Sequence, residues 1–119
     1  MIKPNITFVH MDSTEAIINH CHKKVRVLDK HIQKTDDSVT CSVELSKTTN
    51  HHHKGAIYKT EINLHTRGKN HHVENTQTDL YASIDKGVAM LVHELTTHYG
   101  KKQAVWKRGA GRIKQLLRN

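Results

Sequence analysis

The chain has 119 residues and a mass of 13.6 kDa, with 35% hydrophobic and 4% aromatic residues, which suits one domain with a modest core of Ile, Val and Leu. Two cysteines, Cys21 and Cys41, each inside an apolar pattern, argue against a disulfide framework. No apolar run is long enough for a bilayer span or a leader, so a cytoplasmic protein without a membrane partner is expected. The formal charge of +8 is uneven: residues 101–119 hold seven Lys and Arg and no acid, against twelve basic and eleven acidic side chains in residues 1–100, a distribution that suits a polyanionic partner as well as a merely solubilising terminus.

Asn5 to His10 reads as a first strand, and Asp12, Ser13, Thr14 and Glu15 supply helix-start chemistry. Ile17, Cys21, Val25, Leu28 and Ile32 then recur every three or four residues, one apolar stripe on a helix of about five turns. Its other side presents His22, Lys23, Arg26 and Lys30, with Lys24 near the edge. Val39, Cys41, Val43 and Leu45 alternate as a half-buried strand. After a polar loop over Lys47 to Gly55, Tyr58, Ile62 and Leu64 mark a third strand. Arg67-Gly68-Lys69-Asn70 is a turn, and His71 to Thr76, with Val73 as its one apolar residue, returns as a fourth.

Asp79 opens a second helix with the stripe Leu80, Ile84, Val88, Leu91 and Leu95, interrupted by Gly87 and stopped at Gly100. The expected fold is α+β in the order β-α-β-β-β-α: a four-stranded antiparallel sheet with two helices packed on one face. Residues 1–100 form that domain and residues 101–119 a flexible basic tail.

Twelve histidines invite a metal reading, with clusters at His20-Cys21-His22, His51-His52-His53 and His71-His72. His20-Cys21-His22 scatters its groups around a helix, and the loop triplet His51-His52-His53 lacks carboxylates or thiols at ligand spacing, so no metal site is expected. In His93-Glu94-Leu95-Thr96-Thr97-His98 the histidines stand five apart, one too many for a zincin pair on one helix face. No phosphate loop, nucleophile elbow or paired acid cluster is present, so neither an enzyme nor a cofactor nor a small-molecule substrate is expected. In the tail, Trp106 next to Lys107 and Arg108 could stack on an unpaired base or fold back as a hydrophobic anchor.

Asp79-Leu80-Tyr81-Ala82-Ser83-Ile84-Asp85, with Asn5-Ile6-Thr7 and Thr14-Glu15-Ala16-Ile17, resembles the bacterial ribosome hibernation factors, the family of hibernation promoting factor and ribosome-associated inhibitor (protein Y), over residues 5 to about 102. The resemblance implies a fold similar to double-stranded-RNA-binding domains. It also implies a non-enzymatic role: binding the small ribosomal subunit, in 70S ribosomes too, within the channel of messenger and A-site and P-site tRNA, and silencing idle ribosomes in stress or stationary phase.

By the same resemblance Lys24 and Lys30 face 16S rRNA. Val27, Met90, His93 and Thr97 stand where the family usually has Lys or Arg. Compensation is expected from Lys23, Arg26 and Lys86, from Lys101, Lys102, Trp106, Lys107, Arg108 and Arg112 of the tail, and from His93 and His98 when protonated. The free protein is expected to be monomeric. The alternative is a general RNA-binding module or RNA chaperone whose basic tail supplies most of the affinity.

Overall fold

The computed structural model describes residues 2–32, 38–49 and 55–97. In chain order these form β1 (Asn5–Val9), α1 (Glu15–Val25), a 3-10 helix (Arg26–His31), β2 (Thr40–Thr49), β3 (Ala56–Thr66), β4 (Lys69–Gln77) and α2 over residues 80–97. The α+β order expected from the sequence holds.

The sheet runs β1-β2-β3-β4 and is mixed. Pairs β2–β3 and β3–β4 are antiparallel, but β1 lies parallel to β2, with Ile6 beside Val43 and Phe8 beside Leu45. This corrects the expectation of an all-antiparallel sheet. The chain crosses over through α1 before entering β2, and such a crossover brings the next strand in with the same direction.

Thr14 caps α1, its hydroxyl accepting from the Ile17 amide at 3.2 Å, while Glu15 in the first turn and Lys23 and Lys24 in the last complement the helix dipole. The stripe Ile17, Cys21, Val25 and Leu28 is buried as expected. The five-turn helix is not: α-geometry ends at Val25 and the chain tightens into the 3-10 helix. β-branched Val25 and Val27 weaken the α preference there. A three-residue turn still carries the buried face from Val25 to Leu28. Asp29 in this segment accepts from the Ile2 amide at 3.1 Å and so ties the start of the chain down.

β2 and β3 run further than hydrophobic alternation suggests, because Lys47, Thr48 and Thr49 continue the ladder opposite Tyr58, Ile57 and Ala56. A two-residue turn, Arg67 and Gly68, with Gly68 at φ 87°, leads to β4, which begins at Lys69. In α2 the Asp79 carboxylate accepts from the Ala82 amide at 3.1 Å, and Leu80, Ile84, Val88, Leu91 and Leu95 face the sheet. Both stripes meet Cys41, Val43, Leu45, Ile62, Leu64 and Val73 in one core.

Gly87 sits where α2 comes nearest the sheet. A Cβ there would lie 3.1 Å from Ile62 Cδ1 and 3.4 Å from Thr60 Cγ2 and Asn75 Nδ2. The residue that weakens the helix is the one that allows the approach.

Polar groups hold β3 and β4 to α2. Ser83 donates to the Leu80 carbonyl at 2.8 Å, so the Thr60 hydroxyl, 2.5 Å away, donates to Ser83 Oγ; Asn75 Nδ2 donates to the Ser83 carbonyl at 2.8 Å. Fully buried His71 donates from Nδ1 to the Glu94 carboxylate at 3.1 Å. The bonds from Asn75 and His71 substitute for the apolar residues that β4 lacks.

Candidate nucleic-acid interface

The helical layer carries the cations singled out in the sequence. Lys23, Arg26 and Lys30 are exposed, and among the described residues none has a carboxylate partner. They follow the face of α1 and its 3-10 extension away from the core, because the buried stripe occupies the opposite side. Unpaired ammonium and guanidinium groups on a rigid element suit phosphate contacts.

Lys24 differs from them. It is half-buried at the seam between the helices, its Nζ 3.7 Å from Asp85 Oδ1 of α2. The same oxygen accepts from His20 Nε2 at 2.7 Å, and the His20 ring meets Tyr81 edge-on with centroids 4.8 Å apart. Thus two residues one turn apart on α1, His20 and Lys24, grip two residues one turn apart on α2, Tyr81 and Asp85. The Asp79–Asp85 segment is accordingly a helix cap followed by a docking face for α1.

Lys86 and His93, both exposed, are not gathered with the cations of α1. They line an open groove of about 860 Å³ between α2 and β4, together with Lys69, His72, Glu74 and Glu94. Both signs of charge meet there, so the groove has little electrostatic preference for a polyanion. His98, Lys101, Lys102, Trp106, Lys107, Arg108 and Arg112 lie outside the described residues, as do Gly100 and the triplet His51-His52-His53.

Alternation along β4 separates the neighbours His71 and His72, one buried against α2 and the other exposed on the face of the sheet opposite the helices. On that face the strand registers bring Glu44 opposite Glu61 and Glu61 opposite Glu74. Sequence reasoning missed this row of three carboxylates; the shared parity of the strands was legible, but the alignment that joins them was not. Lys59 Nζ lies 3.3 Å from Glu74 Oε2 and holds the Glu74 carboxyl below the usual carboxylate range. Glu61, His72 and Glu74 also bring three ligand-type atoms within 4.8 Å of one another. The acids here and the free cations of α1 occupy opposite sides of the fold.

Over residues 5–103 the chain matches the family described as Sigma 54 modulation protein / S30EA ribosomal protein. It belongs to that family. Proteins of this family are ribosome-associated and non-enzymatic, in keeping with the expectation that the chain is no enzyme. The fold is similar to that of the Thermus thermophilus Protein Y N-terminal domain, with 26% identity and a TM-score of 0.67, covering 82% of this chain and 97% of that one. A ribosomal subunit interface protein from Coxiella burnetii shares the fold at 16% identity and a TM-score of 0.61, with the same coverage. No curated protein matches the chain significantly. No helix among the described residues is long and apolar enough to cross a membrane.

Proposed function

We infer that the protein is a translation inhibitor that binds the small ribosomal subunit, contacts 16S rRNA through the cationic face of α1, and obstructs the channel used by messenger and by A-site and P-site tRNA. In this reading it silences idle ribosomes of the cytoplasm in stress or stationary phase and is monomeric when free. The observation that carries the reading is the set Lys23, Arg26 and Lys30, exposed and without carboxylate partners on one rigid face, in a chain of a ribosome-associated family. Lys24 joins them when RNA phosphate competes with Asp85. The carboxylates of the sheet face repel RNA, which favours docking by the helices.

Co-sedimentation with small subunits tests this. Binding is expected to decrease with salt and when tRNA or messenger fills the channel. A chain truncated after residue 100 should still bind, more weakly. Retention of free polyanions but not of ribosomes, or complete loss of binding on truncation, would replace this reading with that of a general RNA-binding module.

A further inference from the structure

The face of the sheet opposite α1 and α2 offers chemistry that the RNA reading does not use. We propose that Glu61, His72 and Glu74 form a binding site for a divalent transition cation of the Zn²⁺ type. The ligand atoms converge on rigid, register-locked strands: His72 Nε2 lies 3.5 Å from Glu61 Oε1 and 3.8 Å from Glu74 Oε2. A four-coordinate ion with bonds of roughly 2.0–2.2 Å needs ligands about 3.3 Å apart, so modest side-chain rotation closes the set.

His72 Nδ1 is 2.6 Å from Asn63 Oδ1, an oxygen that can only accept, so Nδ1 carries the hydrogen there; Nε2 faces the two carboxylates and is the nitrogen that a cation would take in place of a proton. A ligating imidazole anchored through its other nitrogen is the usual arrangement in metal sites. Two carboxylate oxygens and one imidazole nitrogen, with the remaining positions open to water, suit Zn²⁺ better than a thiol-seeking ion or Ca²⁺.

The electrostatics agree. Directly opposed like charges weaken a sheet, and Glu44, Glu61 and Glu74 form such a row across three strands. Lys59, 3.3 Å from Glu74, relieves one end of it. Glu61 in the middle has carboxylates on both sides, and a divalent cation relieves both repulsions. Lys59 is then the competitor that the ion displaces from Glu74. This face lies away from α1 and its cations, so the argument for the site does not rest on the RNA reading.

Calorimetric titration of the full-length chain with Zn²⁺ tests the site, in a background carrying His51→Asn, His52→Asn and His53→Asn so that this histidine triplet contributes nothing. One-to-one binding should persist in this background. Adding His72→Asn should weaken it by about tenfold or more, Glu61→Gln should do likewise, and Lys59→Met should tighten it. A Zn²⁺-dependent shift of the His72 ring resonances locates the ion. These side chains are on the open face, so an unchanged thermal melt establishes that each variant is folded, and either His72→Asn or Glu61→Gln suffices if the other unfolds. Loss of all saturable binding in the triplet background, or affinity unmoved by the folded variant, overturns the proposal.

Discussion

His20 of α1 donates from Nε2 to Asp85 of α2 across 2.7 Å, and the same carboxylate oxygen lies 3.7 Å from Lys24. One acid therefore fastens two helices and restrains one of the cations assigned to RNA. Side-chain exposures of 21% for His20 and 45% for Asp85 make this a partly solvated contact, so Asp85→Ala should cost only about 0.5–1 kcal/mol in urea unfolding. The same variant releases Lys24. Small-subunit affinity at low salt should rise, and a fall would show that Asp85 does more than restrain its neighbour.

Charge reversal on α1 separates binding from folding. Lys23→Glu, Arg26→Glu and Lys30→Glu replace exposed side chains that have no ion-pair partner among the described residues, so the melting temperature should hardly move. Co-sedimentation should fall steeply, and the salt dependence of what remains should flatten by about one phosphate contact per cation removed. Unfolding of the triple variant would mean that this face is structural.

Gly87 is expected to reject any branched side chain. Alanine gains helix propensity of about 1 kcal/mol and meets Ile62 Cδ1 at 3.1 Å, so Gly87→Ala should lie close to neutral. Gly87→Val adds two methyl groups against a buried surface and should cost roughly 1–3 kcal/mol by overpacking. Equal stability of the glycine and valine forms in chemical denaturation would remove the close approach as the reason for glycine.

Burial pushes the thiols of Cys21 and Cys41 up to about 11 from 9.0, and the nearby Cys21 thiolate adds to the rise at Cys41. A thiol whose folded pKa is raised contributes stability that is intact below its unfolded value. That contribution is lost as pH climbs, here between about 9 and 11. Stability against denaturant measured across this window should decline more steeply for the natural chain than for Cys21→Ala with Cys41→Ala. At neutral pH both thiols should resist alkylation until the protein is denatured.

What could be read from the sequence was whatever repeats along one element. Ile17, Cys21, Val25 and Leu28, then Leu80, Ile84, Val88, Leu91 and Leu95, announce their buried faces by spacing alone, and Cys41, Val43 and Leu45 do so by alternation. Properties of pairs of elements were hidden. The parallel entry of β1 beside β2 depends on the crossover, the pairing of Lys24 with Asp85 on how the helices abut, and the glutamate row on two registers. The shift from α to 3-10 geometry at Arg26 was masked because Val25 and Leu28 stay on one face in either form. The inward position of His71 was hidden for a different reason: a buried histidine leaves no apolar trace, and the Glu94 carboxylate that receives its hydrogen bond belongs to another element, α2.

Beyond its ladder with β3, β4 has one apolar anchor, Val73, and side-chain hydrogen bonds whose partners Ser83 and Glu94 belong to α2. Such an edge gains little from hydrophobic collapse, and its side-chain bonds form only once α2 is present to receive them. It should therefore be the last strand to lock during folding and the first to release its amide protons to exchange, well before the strands between it and β1.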